Sequence, residues 1–133
     1  MEQPATVTPE DLLAAPEESE TTAPFLHFTQ AERDWILLLA YLHLEQRKPE
    51  QGCILLRLLH RAFPMDAEVQ RCLALGEMLA GNPLEASRAA TRALGRAEPR
   101  LRIPVGLIFA RALWDLGKQD AARDFIANLL TPS

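Results

Sequence analysis

The stretch Leu79–Leu94, LAGNPLEASRAATRAL, decides how the whole chain is read. A Gly-Asn-Pro break opens a helix with Asn82 as N-cap, Pro83 at the first helical position and Gly95 as terminator. Ala86, Ala90 and Ala93 then fall on one face of that helix. A lone helix gains nothing from small residues on one side. A helix pressed closely against others needs them.

The same punctuation recurs on both sides of the stretch. Thr29 is placed as an N-cap, with Glu32 three residues on as its capping-box partner, and a helix should run from there to about Gln46. A second helix opens with Pro49 in its first turn and ends at Pro64. Asp66 caps a third, which stops near Gly81. A fifth spans IPVGLIFARALWDLG and ends at Gly117, and a sixth follows as KQDAARDFIANLL. No segment shows the strict alternation or β-branched enrichment of a strand. The expected fold is all-α, with six helices in three hairpins.

The hairpins repeat. Gly81 and Gly117 are 36 residues apart, as are Ala86 and Ala122, and a step of 34 back from Ala86 reaches Gly52. Ala40, Ala74 and Ala110 occupy matching places in the first helices, each preceded by a large apolar residue (Leu39, Leu73, Phe109). The unit is a helix–turn–helix of about 34 residues, and it resembles the tetratricopeptide repeat. Departures are visible: the pattern's Trp is Ile36, Gln70 and Gly106, and its Tyr is His43, Glu77 and Leu113. The resemblance implies three degenerate hairpins in a short right-handed solenoid, since one apolar hairpin cannot bury its face alone. It also implies a concave groove lined by Leu37, Tyr41 and Leu44, then Arg71, Leu75 and Met78, then Leu107, Arg111 and Trp114. That groove is mainly apolar, with Arg71 and Arg111 available to acids on a partner.

Composition bounds the function. The 133 residues are 48% hydrophobic and 24% charged, ordinary for a globular protein, with a net charge of -4. Residues 1–24 hold six acids, four of the ten prolines, no Lys or Arg and no aromatic residue. They read as a disordered acidic tail ahead of a repeat domain over 25–133. The remainder carries 12 acids against 14 basic residues, without the dense basic face of a nucleic-acid-binding domain. The N-terminus lacks the pattern of a signal peptide. The longest apolar run, Trp35 to Leu44, is far short of the roughly 20 residues a membrane helix needs. A cytosolic location is expected, and Cys53 and Cys72 fit it as buried, unpaired thiols.

Catalytic chemistry is not written in the chain. His27, His43 and His60 stand alone, without a nucleophile in a recognisable motif. There is no Gly-rich phosphate loop and no Cys/His set at metal-ligand spacing. The expectation is a binding protein: no enzyme, no catalytic residue, no metal and no cofactor.

A small, acidic tetratricopeptide protein of this kind is similar to the chaperones of bacterial type III secretion, closest to the YscY type. Asp34–Pro64 carries the likeness most, with its Leu-rich helix, short polar turn and Cys-Ile-Leu-Leu helix, and Val69–Leu94 continues it. The third repeat matches only in general pattern, and the acidic tail is foreign to that type. The resemblance implies a secreted apparatus subunit as partner, a YscX-like client whose amphipathic helix is held in the groove and delivered to an export-gate component. It implies a bacterial cytoplasmic protein that visits the inner-membrane export apparatus, without membrane insertion and without nucleic acid. Chaperones for needle or translocator subunits, and general adaptors unrelated to secretion, use the same scaffold. Self-association through Trp35–Leu44 into a homodimer is a third option.

Overall fold

A computed structural model describes residues 27–96 and 98–131. The acidic tail read at 1–24 lies outside the described residues. Six α-helices follow one another: α1 (Gln30–Glu45), α2 (Pro49–Ala62), α3 (Ala67–Leu79), α4 (Pro83–Leu94), α5 (Arg102–Asp115) and α6 (Gln119–Leu130). A short 3-10 turn, Pro99–Leu101, leads into α5, and there is no strand among the described residues. Local chemistry sets the starts. The Thr29 hydroxyl accepts from the Glu32 amide at 3.1 Å while Glu32 accepts from the Thr29 amide at 2.8 Å, closing the capping box. The Asp66 carboxylate caps α3 through the Glu68 and Val69 amides. Pro49 and Pro83 each occupy the first turn of a helix, where a missing N–H costs nothing.

The repeat is visible in the backbone itself. Inside each hairpin the turn is closed by the same bond: Lys48 N–H to His43 C=O, Asn82 N–H to Glu77 C=O, and Lys118 N–H to Leu113 C=O, at 2.9, 2.8 and 2.9 Å. The residue before each donor is left-handed: Gly81 at φ 83° and Gly117 at φ 84°, but Arg47 at φ 62°. Glycine takes that conformation freely. Arginine does so at a cost of about 1 kcal/mol.

Each helix packs on its neighbours in sequence, and α3 also touches both α1 and α5. Among the described residues, the backbones of α2, α4 and α6 do not approach one another. The array is therefore a short solenoid of three tetratricopeptide-like hairpins, with α1, α3 and α5 as its inner layer and α2, α4 and α6 as its outer one. Small residues permit the close approach. Ala40, Ala74, Ala86, Ala89, Ala90 and Ala93 are completely buried. A methyl group at Gly52 would stand 2.8 Å from Leu44 Cδ2 and 3.1 Å from the Ala40 carbonyl oxygen. Large side chains, chiefly Leu56, Leu59, Val69 and Val105, fill the space between.

Two departures from the repeat pattern prove to be buried polar ties. Gln70, fully buried, hydrogen-bonds His60 Nδ1 at 2.7 Å and the Pro64 carbonyl at 3.2 Å, and its oxygen accepts from Arg92 Nε at 2.8 Å. Glu77, 2% exposed, accepts from Arg57 Nε and Nη2 at 2.7 and 2.8 Å and from Asn82 Nδ2 at 2.8 Å. Asn82 thus holds the N-cap position of α4 without a side-chain cap bond, contrary to the expectation; its amide is spent on Glu77. Gly95 ends α4 in a right-handed conformation, not the left-handed one of the other two turn glycines. At Gly106, the third departure, Leu129 of α6 fills the void, lying 2.5 Å from where a methyl group would stand.

Candidate functional site

The inner helices α1 and α3 diverge enough to leave an open groove of about 460 Å³. Leu37, Leu38 and Tyr41 form its α1 wall, and Glu68, Arg71 and Cys72 its α3 wall. Their placement follows from the helical period: Leu37 and Tyr41 are one turn apart on one face. Leu37 is nearly buried, whereas Tyr41 is 42% exposed.

One end of this groove is fixed by Arg33. Its guanidinium meets Asp34 at 2.7 Å, Asp66 at 2.8 Å and Glu68 at 3.0 Å, and is only 7% exposed. Desolvation works against the charge, but the hydrogen bonds Arg33 donates to Asp34, Glu68 and Asp66 outweigh it and hold the Arg33 pKa above its ordinary value. Arg71 differs. It has no ion pair and no hydrogen bond among the described residues, and its Nε is shielded from solvent with no acceptor. The Glu45 carboxylate one turn along raises the Tyr41 phenol's pKa, while Arg71 acts in the opposite sense. Burial pushes the Cys53 thiol up to about 12 and raises Cys72 as well, so neither is an activated nucleophile.

A second hollow, about 490 Å³, lies within the last hairpin between α5 and α6. Leu107, Arg111 and Trp114 line it from α5, with Ala122, Arg123 and Ile126 opposite. Its charges are satisfied internally. Arg111 Nε bonds Asp115 one turn away at 3.0 Å, and the Arg123 guanidinium stacks 5.3 Å from the Trp114 ring.

The nine residues expected along one groove are therefore distributed. Leu37, Tyr41 and Arg71 come together between α1 and α3. Leu107, Arg111 and Trp114 come together at the far end, on a different pair of helices. Leu44 is a core residue, 7% exposed and in contact range of the backbone at Gly52 and Gly76. Leu75 is half-buried against the core. Met78 is half-buried and lines neither cavity. Arg33, Leu38 and Glu68 were not among the expected groove residues. Arg33 and Glu68 sit one turn before Leu37 and Cys72, so the helical period alone places them beside the site.

The exposed apolar surface of α1 continues past the groove, sharing Leu38 with it. Trp35, Leu38, Leu39 and Leu42, at i, i+3, i+4 and i+7, are all exposed, Trp35 at 65%. A shallow hollow of about 390 Å³ adjoins this stripe at Phe28, Ala31 and Trp35. Among the described residues no helix is long and apolar enough to cross a membrane, and no group of three or more His, Cys, Asp or Glu gathers as a metal site. No family model and no curated protein matches the sequence.

Proposed function

We propose that the protein is a small chaperone that holds an amphipathic helical segment of a partner in the groove between α1 and α3. The observation that carries this reading is the groove itself: exposed apolar side chains (Leu38, Tyr41) on one inner helix face an arginine without a carboxylate on the next. A helix laid there would cover the apolar wall through anchors at i, i+3 or i+4 and i+7. The resemblance to the YscY type supplies the biological setting. In that setting the client is a secreted subunit of a type III apparatus, kept soluble in the bacterial cytoplasm and passed to the export gate. Needle or translocator subunits, or clients of an adaptor outside secretion, would use the same groove.

The exposed stripe on α1 favours a second reading in which two copies associate through Trp35, Leu38, Leu39 and Leu42; since Leu38 also walls the groove, a second copy there competes with a client. A contiguous apolar patch of this kind commonly marks an interface.

Pull-down of the tagged full-length chain from its host, read by mass spectrometry, tests the proposal. One small secreted protein in near-equal amount is the expected result. Tyr41→Ala should lose it while helical content stays unchanged, and Trp114→Ala should retain it, because Trp114 lines the other hollow. A spread of unrelated proteins would favour the adaptor. Loss of helicity in Tyr41→Ala would make that residue part of the fold instead.

A further inference from the structure

We propose that the α1/α3 groove selects a helix bearing one carboxylate within its apolar face, and that Arg71 is the residue that reads it. The inference rests on the groove being a helix-binding site and names the chemistry of its partner. Four arginines line the two cavities. Arg33 has three carboxylates around it, Arg111 has Asp115, and Arg123 has Asp120 at 3.2 Å together with the Trp114 ring. Arg71 alone of these four is without an acid. Its nearest candidate by helical spacing, Glu68 one turn earlier, is committed to Arg33 at 3.0 Å. Its Nε is covered by the protein and meets no acceptor, so compensation for the guanidinium is left to its terminal nitrogens, where a partner's carboxylate would sit.

The surroundings limit what that partner can be. Leu37, Leu38 and Tyr41 face Arg71 across the groove and demand apolar neighbours for the acid. Asp34 and Glu68 stand at the Arg33 end, each more than half exposed, and repel any further negative charge. A polyacidic strand is therefore a poor occupant. A helix with one Glu between Leu residues is a good one, and a basic residue a turn or two away would meet Asp34.

The test uses fluorescent helical peptides the length of α1, 16 residues, with Leu at i, i+3 and i+7 and Glu at i+4, titrated against the full-length protein. Replacing the Glu by Gln should weaken binding about tenfold, the worth of one charge-assisted hydrogen bond. Arg71→Glu should lose the Glu peptide and gain a peptide with Lys in its place. A peptide with four Glu should bind worst. Equal binding of the Glu and Gln peptides, both lost in Tyr41→Ala, would overturn the role of Arg71 and leave the groove standing. Binding of neither peptide to dilute, monomeric protein would overturn the groove reading and this inference with it. Binding that appears only as self-associated protein dissociates would show a second copy in the groove, and would also overturn the selection.

Discussion

The second hairpin and the third are built on one plan and held by different means. In α3 and α4 the inward positions include Gln70 and Glu77, each tied by several hydrogen bonds to other elements, and five alanines without any exposure. In α6 only Ala122 is buried, and the hairpin is joined by aromatic and aliphatic contacts: Phe109 on Phe125 edge-to-face at 4.9 Å, Arg123 over Trp114, Leu129 against Gly106. Buried polar ties are directional and fail if either partner moves. Apolar contacts at an open end tolerate adjustment. The middle of the array is thus the rigid reference, and the far end is the region free to adapt.

The strongest way to break this contrast is Glu77→Ala. It strips Arg57 and Asn82 of their acceptor at once and leaves a void where a buried side chain stood, and should cost about 2 kcal/mol in denaturant unfolding; the penalty stays below that of a fully buried pair because Arg57, 36% exposed, turns to water. A loss under about 1 kcal/mol would show that the tie is ornamental. Matched overpacking sharpens the comparison next. Ala86→Leu should cost about 2 kcal/mol, since Ala86 has no free surface. Ala122→Leu, at the equivalent place but bordering the 490 Å³ hollow, should cost less than about 1 kcal/mol. Equal losses would abolish the distinction between the two hairpins.

The smallest effect concerns pH. Cys53 lies against this rigid part, and burial raises its thiol from 9.0 to about 12. The folded value is above the unfolded one, so the neutral thiol's contribution is fully present below pH 9 and fades as the pH rises toward 12. About 1 kcal/mol should be gone by pH 10, and Cys53→Val should flatten that part of the stability profile relative to wild type. The last hairpin has no cysteine and offers no such handle.

What could be read in the sequence was local. The capping box at Thr29, the Asp66 cap and the prolines at 49 and 83 act within one turn, and the hairpin period follows from them. Gln70 and Glu77 stood out as departures from the repeat. Their meaning did not, because Arg57 and Arg92 lie 20 and 22 residues away and only packing brings them in. Asn82 takes the N-cap position that the sequence implies, but its side chain is turned from capping to Glu77, a demand that only packing reveals. The site was half legible. Leu37, Tyr41 and Arg71 meet as the repeat pattern implies, but Leu44 is drawn into the core by the missing side chain at Gly52. The difference between Arg71 and Arg111 was partly within reach, since Asp115 follows Arg111 at helical spacing. The commitment of Glu68 to Arg33, from another helix, was not.

The separation of α2, α4 and α6 has a mechanical consequence. Three outer helices whose backbones stay apart, each seated against the inner helices α1, α3 and α5, form a fan. The close seams run between inner and outer helices, and the inner helices themselves meet only lightly, so the compliant direction is the opening of neighbouring hairpins about those seams. Curvature is then the soft coordinate of the molecule, adjustable at the seams between hairpins while the side chains within each hairpin keep their rotamers.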